Sequence, residues 1–183
     1  MSSLVVSDLA ASCVEYVQRS LGVELDYTSD TLPLLDHYLL QAARQAQQRP
    51  EALELIAQVA AAYFGETLSR RFDCWWSLPD CSVTTGLLRF RQVYLEISPY
   101  ALVVAALGLP VPEDTPEVGF HVDPDDIEFL DAHLAALPPV PEEEFLRLST
   151  RYDVLETIAE QLKARAVARN LGEVTFEDPD YEE

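Results

Sequence analysis

The strongest candidate for metal chemistry is a cluster of imidazole and carboxylate side chains in the second half of the chain. His121 and Asp123 precede Asp125 and Asp126, and His133 lies further along. Divalent metals accept both types of ligand. The same residues also fit a helix start, because Asp123 can act as the cap and the next two acids favour the positive end of the helix dipole. We therefore keep His121 and Asp123 as weak metal candidates and predict no bound metal or cofactor.

Glu66 is the second candidate for chemistry, because it lies in the middle of a long apolar stretch. A carboxyl group buried there would have a raised pKa, which suits proton transfer. Arg70 follows four residues later, and a Glu before an Arg at this helical spacing favours a structural ion pair. An enzyme that uses Glu66 together with His121 and Asp123 remains the alternative function.

Other common catalytic arrangements are missing from the sequence. Asp36 and His37 are adjacent, but neighbouring helix residues point in different directions. Asp36 therefore cannot hydrogen-bond to His37 in the way that a triad carboxylate orients a histidine general base. No GxSxG motif occurs, and the six glycines are scattered singly rather than grouped in a phosphate-binding loop. We therefore predict no catalytic residues and a protein that is not an enzyme.

The charge of the chain is strongly negative and unevenly distributed. The net charge is −20, and no Lys or Arg occurs between Arg91 and Arg147. That interval contains twelve acids from Glu96 to Glu144, and six more begin at Glu173. Such a field repels phosphate groups, so we expect neither nucleic acid nor an anionic membrane surface as a partner. A basic protein partner fits this charge, and a merely solvated acidic face is the alternative.

The acidic segment also contains apolar side chains and a loop with several prolines, which loses less entropy on binding than a flexible loop. Acidic residues attract a basic partner, and apolar anchors among them hold it. The residues predicted to contact the partner are Glu113, Asp114, Glu117, Phe120, Asp123, Asp125, Asp126 and Phe129.

Hydrophobic periodicity predicts three helices in the first half of the chain. The first begins at Ser7 or Asp8 and ends near Leu21, the second covers 31–47 and the third covers 50–72. The third helix is apolar on nearly every face, which is typical of an interior helix. Gly65 within it predicts close packing of a neighbouring element.

Three short antiparallel strands are predicted next, at 74–78, 86–90 and 93–97. Adjacent strand residues face opposite sides, so Trp75 and Trp76 should place one indole inward and one outward. We expect them to seal the helix to the sheet, with ligand stacking as the alternative. Ser98 and Pro99 then favour the start of a short helix that ends near Leu107.

The rest of the chain predicts a linker and two further helices. Residues 109–119 are too rich in proline for regular structure, a fifth helix covers 124–137, and a sixth runs from Pro141 to a stop at Gly172. The predicted fold class is α+β, a helix-rich domain packed on a small three-stranded antiparallel sheet with two C-terminal helices. The domain covers 1–172, with its core at 7–108 and an acidic helical part at 109–172, and an acidic tail follows at 173–183.

Several features favour a cytoplasmic location. The first residues lack the basic region of a secretory signal, and no apolar run reaches the length needed to span a bilayer. Cys13, Cys74 and Cys81 are an odd number, which fits free thiols in a reducing compartment. A disulfide between Cys74 and Cys81 is the alternative.

A short pattern resembles a loose group of uncharacterised bacterial α+β proteins. It consists of the run from Tyr63 to Leu68 with Gly65 and Glu66 inside it, then Trp75 or Trp76, then the segment from Ser98 to Val103, and it covers about residues 30–108. Some members of that group are similar to immunity proteins of toxin systems. The resemblance implies an α+β fold and a regulatory, immunity or inhibitor role, and it supplies no catalytic residues. A self-assembling structural subunit, with a homodimer as its simplest form, is a further possibility.

Overall fold

The structure, a computed structural model, describes residues 2–45, 50–116, 119–169 and 174–181. The helices in this part of the chain are α1 Ser2–Leu21, α2 Leu32–Gln45, α3 Pro50–Arg71, α4 Pro99–Ala106, α5 Pro124–Leu134, α6 Glu142–Phe145 and α7 Leu148–Ala168. The strands are β1 Cys74–Ser77, β2 Leu87–Phe90, β3 Leu95–Ile97 and β4 Phe120–Val122. This arrangement confirms the α+β class. None of the described helices has the length and apolar character that a membrane crossing requires.

Helix α3 forms the centre of the hydrophobic core. It packs against α1, α2, α4 and β1, and the run from Val59 to Gly65 is buried without interruption. Its middle carries alanines and Gly65, so the neighbouring elements approach its backbone closely. The Trp76 indole occupies this space: a Cβ added at Gly65 would overlap the six-membered ring. The predicted packing role of Gly65 is therefore confirmed.

The four strands form one antiparallel sheet in the order β1-β2-β3-β4. Its inner face carries the cross-strand row Trp76, Leu88, Ile97 and Phe120, and its outer face carries Trp75, Arg89, Glu96 and His121. The prediction of three strands was wrong, because a fourth strand, β4, directly follows the proline-rich segment 109–119, in residues for which the sequence predicts no regular element. Pairing with β3 imposes the extended conformation there, and this contact is not visible in the local sequence.

The first predicted helix differs from the structure at its start. Helix α1 begins at Ser2, earlier than the capping residues Ser7 and Asp8, and its fifth residue Val6 is fully buried. Burial of that apolar side chain favours a longer helix than the capping signal indicates. The end of the second predicted helix, at 46–47, lies outside the described residues.

The predicted sixth helix is in fact two helices, α6 and α7, separated at Leu146 and Arg147. Asp36 of α2 provides the reason. Its carboxylate accepts hydrogen bonds from the Leu148 amide (2.7 Å), the Ser149 amide (3.2 Å) and the Ser149 hydroxyl (2.6 Å). Burial raises the pKa of Asp36, while these three bonds favour its charged form. A side chain from a distant helix thus caps α7 and forces a new helix start.

The described part of the acidic tail, 174–181, packs on the outer face of the sheet. Asp178 accepts hydrogen bonds from the Trp75 indole at 2.8 Å and from Arg89 at 3.0 Å. Tyr181 is buried, and its hydroxyl donates to the Phe90 carbonyl at 2.7 Å. Burial raises the pKa of Tyr181 to about 12. Part of the tail's negative charge is thereby neutralised by the sheet.

Candidate partner-binding surface

Strand β4 and helix α5 form one continuous unit that contains most of the predicted contact residues. Asp123 joins them: its Oδ1 atom accepts a hydrogen bond from the Asp125 amide at 2.8 Å, and Pro124 occupies the first turn. Asp123 therefore caps α5, as its position before a proline indicates. The Asp123 side chain is exposed to solvent, and it also stabilises the start of α5.

Asp126 and Phe129 face α7 rather than solvent. Asp126 forms ion pairs with Arg165 at 2.9 Å and with Arg169 at 3.5 Å. The Arg165 guanidinium carbon also lies 4.5 Å from the centre of the Phe129 ring. These contacts hold α5 on α7, so Asp126 and Phe129 position the surface and are poorly placed to contact a partner directly.

A groove of about 360 Å³ lies between β4 and α5. One wall is formed by four consecutive residues, 119–122, and the other by the α5 residues Ile127, Leu130, Asp131 and Leu134. Ile158 of α7 lies at its base. Ile127 is 47% exposed, so the wall presents an apolar side chain to solvent.

Phe120 is held at the groove by a buried arginine. The Arg151 side chain is 7% exposed, and its guanidinium carbon lies 3.9 Å from the Phe145 ring centre and 5.6 Å from the Phe120 ring centre. Burial lowers the pKa of Arg151. Arginine stacked on two aromatic rings is a rigid support, which fixes the groove end of β4 on α7.

Three acids of α5 are exposed: Asp131, which lines this groove, and Asp125 and Glu128, which lie elsewhere on the same helix. Their side chains make no ion pair with the residues that the structure describes. Glu113 and Asp114 are also exposed, in the turn closed by the bond from the Thr115 amide to the Pro112 carbonyl at 3.0 Å. Glu117 lies outside the described residues.

The residues of the enzymatic alternative are not brought into one site. His121 lies on the outer face of the sheet, opposite Glu96, and Asp123 caps α5. Within the described ranges no three His, Cys, Asp or Glu side chains converge as metal ligands would. His133 is used locally, since its Nδ1 atom lies 2.8 Å from the Phe129 carbonyl oxygen.

Glu66 has a separate environment on α3. Burial raises its pKa, with Arg70 and the Trp76 indole opposing that rise. The expected ion pair with Arg70 is not formed, because the Arg70 guanidinium lies over the Tyr27 ring at 3.6 Å from its centre. The buried Trp76 indole N–H lies near Glu66 without a regular hydrogen bond.

A cavity larger than the groove, of about 470 Å³, lies elsewhere, between α1, α2 and α3. Its lining includes Tyr16, Tyr38, Gln41 and Ile56 with Arg19 and no acid. Arg19 already pairs with Glu15 at 2.7 Å. This cavity has neither the charge nor the predicted residues of the acidic segment, so size alone does not make it the better candidate.

Sequence reasoning missed Ile127, Glu128 and Asp131 as surface residues. For Asp131 the available signal is helical spacing, which places it on the side of α5 that carries Ile127, Leu130 and Leu134. Nothing local indicated that Arg165 would neutralise Asp126, because that pair joins residues far apart in sequence. The groove itself depends on β4, which the sequence did not predict.

Comparisons with protein-family models, with curated proteins and with solved structures give no match to this chain.

Proposed function

We propose that this is a non-catalytic cytoplasmic protein that binds a basic protein partner through the surface of β4 and α5, in a regulatory, immunity or inhibitor role. The single observation that carries the proposal is that α5, which forms one wall of an apolar groove, carries three exposed acids, Asp125, Glu128 and Asp131, that pair with none of the described basic residues. An acid that forms an ion pair within the protein, such as Asp126, contributes little net negative charge to the surface. Those three can attract Lys and Arg, and the groove can then bury an apolar side chain.

The charge of the whole chain supports the choice of partner. A net charge of −20 gives fast electrostatic attraction of basic proteins and repulsion of phosphate-rich ones. The acids on α5 then determine where the partner docks. The surface is thus proposed to combine long-range attraction with a local apolar contact.

Charge reversal on α5 tests this proposal. In the variant Asp125→Lys/Glu128→Lys/Asp131→Lys, we expect binding of a short peptide of alternating Lys and Leu to weaken by at least about tenfold, because close attraction becomes repulsion. Fluorescence anisotropy of the labelled peptide gives the dissociation constant. Asp123 and Asp126 are left unchanged, because their reversal would destabilise α5.

A matched control separates the site from the net charge. The variant Asp8→Lys/Glu24→Lys/Glu51→Lys changes the net charge equally, uses exposed acids, and includes Glu51 in the first turn of α3 as the counterpart of Asp125 in α5. It should weaken binding by much less than the α5 variant at about 0.1 M salt, where charges beyond about 10 Å are screened. Equal losses in the two variants would show that only the total charge matters and would refute the proposed site.

A further inference from the structure

The groove beside β4 has the shape of a site for an extended chain. The side chains of Phe120, His121 and Val122 alternate between the two faces of the sheet, yet all three residues and the preceding Gly119 line the same groove. Only the backbone edge of the strand can present four consecutive residues to one space. The opposite wall is the stripe Ile127, Leu130 and Leu134 of α5. A strand edge therefore faces an apolar helix stripe.

The edge of β4 is free within the described part of the chain. β4 is the last strand of the sheet, and its partner is β3 alone. Apart from that ladder, the described backbone hydrogen bonds include none made by Phe120, His121 or Val122. In a strand, alternate N–H and C=O groups point away from the neighbour, and such an edge is a template for another strand.

Space at the start of the groove is also open. A Cβ added at Gly119 meets no described atom within 4 Å. Beyond the two chain neighbours of Gly119, no described atom therefore lies against this position.

We propose that an extended segment of the basic partner pairs with the free edge of β4 as a fifth strand, with apolar side chains toward α5 and with Lys or Arg at the ends of the segment, where they can reach Asp131 and Glu128. This inference rests on the proposed function and names how the partner is bound. Strand pairing supplies affinity through the backbone, and the groove selects alternate side chains. The acids of α5 supply the preference for basic residues at the positions that flank this apolar segment.

Backbone methylation of the peptide tests strand pairing directly. The parent probe is the peptide of alternating Lys and Leu. Two derivatives, here called the two methylated series, carry N-methyl groups on alternate residues. In each series all methyl groups lie on one edge of the extended peptide, and the two series differ in which edge that is. Only one edge can face β4. We expect one series to bind at least about tenfold more weakly than the parent, because its methyl groups replace pairing N–H donors, and the other series to bind like the parent.

Each other outcome overturns the inference in a different way. If both methylated series bind like the parent, the contact is electrostatic, the strand is refuted and the proposed function stands. If neither series binds, the peptide docks in another conformation, such as a helix. If the parent itself fails to bind, the proposed function fails and the inference fails with it.

A second variant tests whether an apolar side chain enters the groove. Ile127→Asp adds negative charge, so attraction by charge alone would tighten binding of the basic probe. Insertion into the groove predicts binding about tenfold weaker, because an apolar contact is lost. Leu137→Asp is the matched control, since Leu137 is 46% exposed and Ile127 is 47% exposed, and only Ile127 lines the groove. Tighter or unchanged binding in Ile127→Asp contradicts insertion.

Discussion

Replacement of Asp36 by alanine should lower the free energy of unfolding by about 3 kcal/mol, since it removes a helix cap and leaves buried donors without an acceptor. Asp36 is 5% exposed and accepts hydrogen bonds from Leu148 and Ser149 at the start of α7. Without it, the buried Leu148 amide has no described acceptor. Chemical denaturation followed by circular dichroism measures the change.

Two further variants define the role of this cap. Asp36→Asn keeps an oxygen acceptor and avoids burying a charge, so it should lose less stability than Asp36→Ala. Asp30→Ala is the control for a nearby exposed acid and should change stability by less than about 0.5 kcal/mol. Hydrogen exchange at the Leu148 and Ser149 amides reports the cap locally. If Asp36→Ala unfolds at the same denaturant concentration as the original protein, the cap contributes nothing.

The Gly65→Val variant should also lower the free energy of unfolding by about 3 kcal/mol, at the upper end of the usual cost of overpacking. An added Cβ would overlap Cζ2 of Trp76 and lie 2.8 Å from its Cε2 atom. The indole cannot move away freely, because a Cβ at Gly86 would lie 3.2 Å from its Cζ3 atom on another side. Thermal or chemical unfolding gives the magnitude.

Removing the Trp76 indole checks whether its overlap with the new side chain causes the loss of stability. In a Trp76→Leu background, Gly65→Val should cost much less, because the six-membered ring is gone and the two changes are coupled. Gly65→Ala should be milder than Gly65→Val, since its clash is smaller and alanine gains about 1 kcal/mol of helix propensity over glycine. Full stability of Gly65→Val with Trp76 intact would show that the indole is not held against α3.

Much of the first half of the fold could be predicted from sequence because its signals are local. The apolar run of α3, the turn from Ser98 to Pro99 and the alternation around Trp75 and Trp76 each specify structure within a few residues. Ser98 does cap α4, with its hydroxyl accepting from the Ala101 amide at 3.2 Å. Local patterns of this kind are independent of the rest of the chain.

The features that were missed depend on residues distant in sequence. β4 exists because β3 pairs with it, and the break before α7 exists because Asp36 caps it from α2. The same reason applies to Asp126, which seemed a free acid until Arg165 and Arg169 were placed beside it. The charge of the acidic segment can thus be read from the sequence, whereas its division into acids that pair with described arginines and acids that do not requires the tertiary structure.

The fold also explains how the proposed surface is kept rigid. Helix α7 carries the base of the groove at Ile158 and the arginine that holds α5. Its start is fixed by Asp36, which connects the core helices to the acidic surface. Loss of the Asp36 cap should consequently loosen the groove as well as the core.

The central claim, that α5 and β4 receive a basic partner, is tested most directly by mapping the binding of the alternating Lys and Leu peptide on the amide resonances of the labelled protein. We predict that the largest chemical shift changes fall within residues 119–134 and that α1 is unchanged. Changes spread over exposed acids such as Asp8 and Glu51, or centred on the cavity at Tyr16 and Tyr38, would contradict the claim.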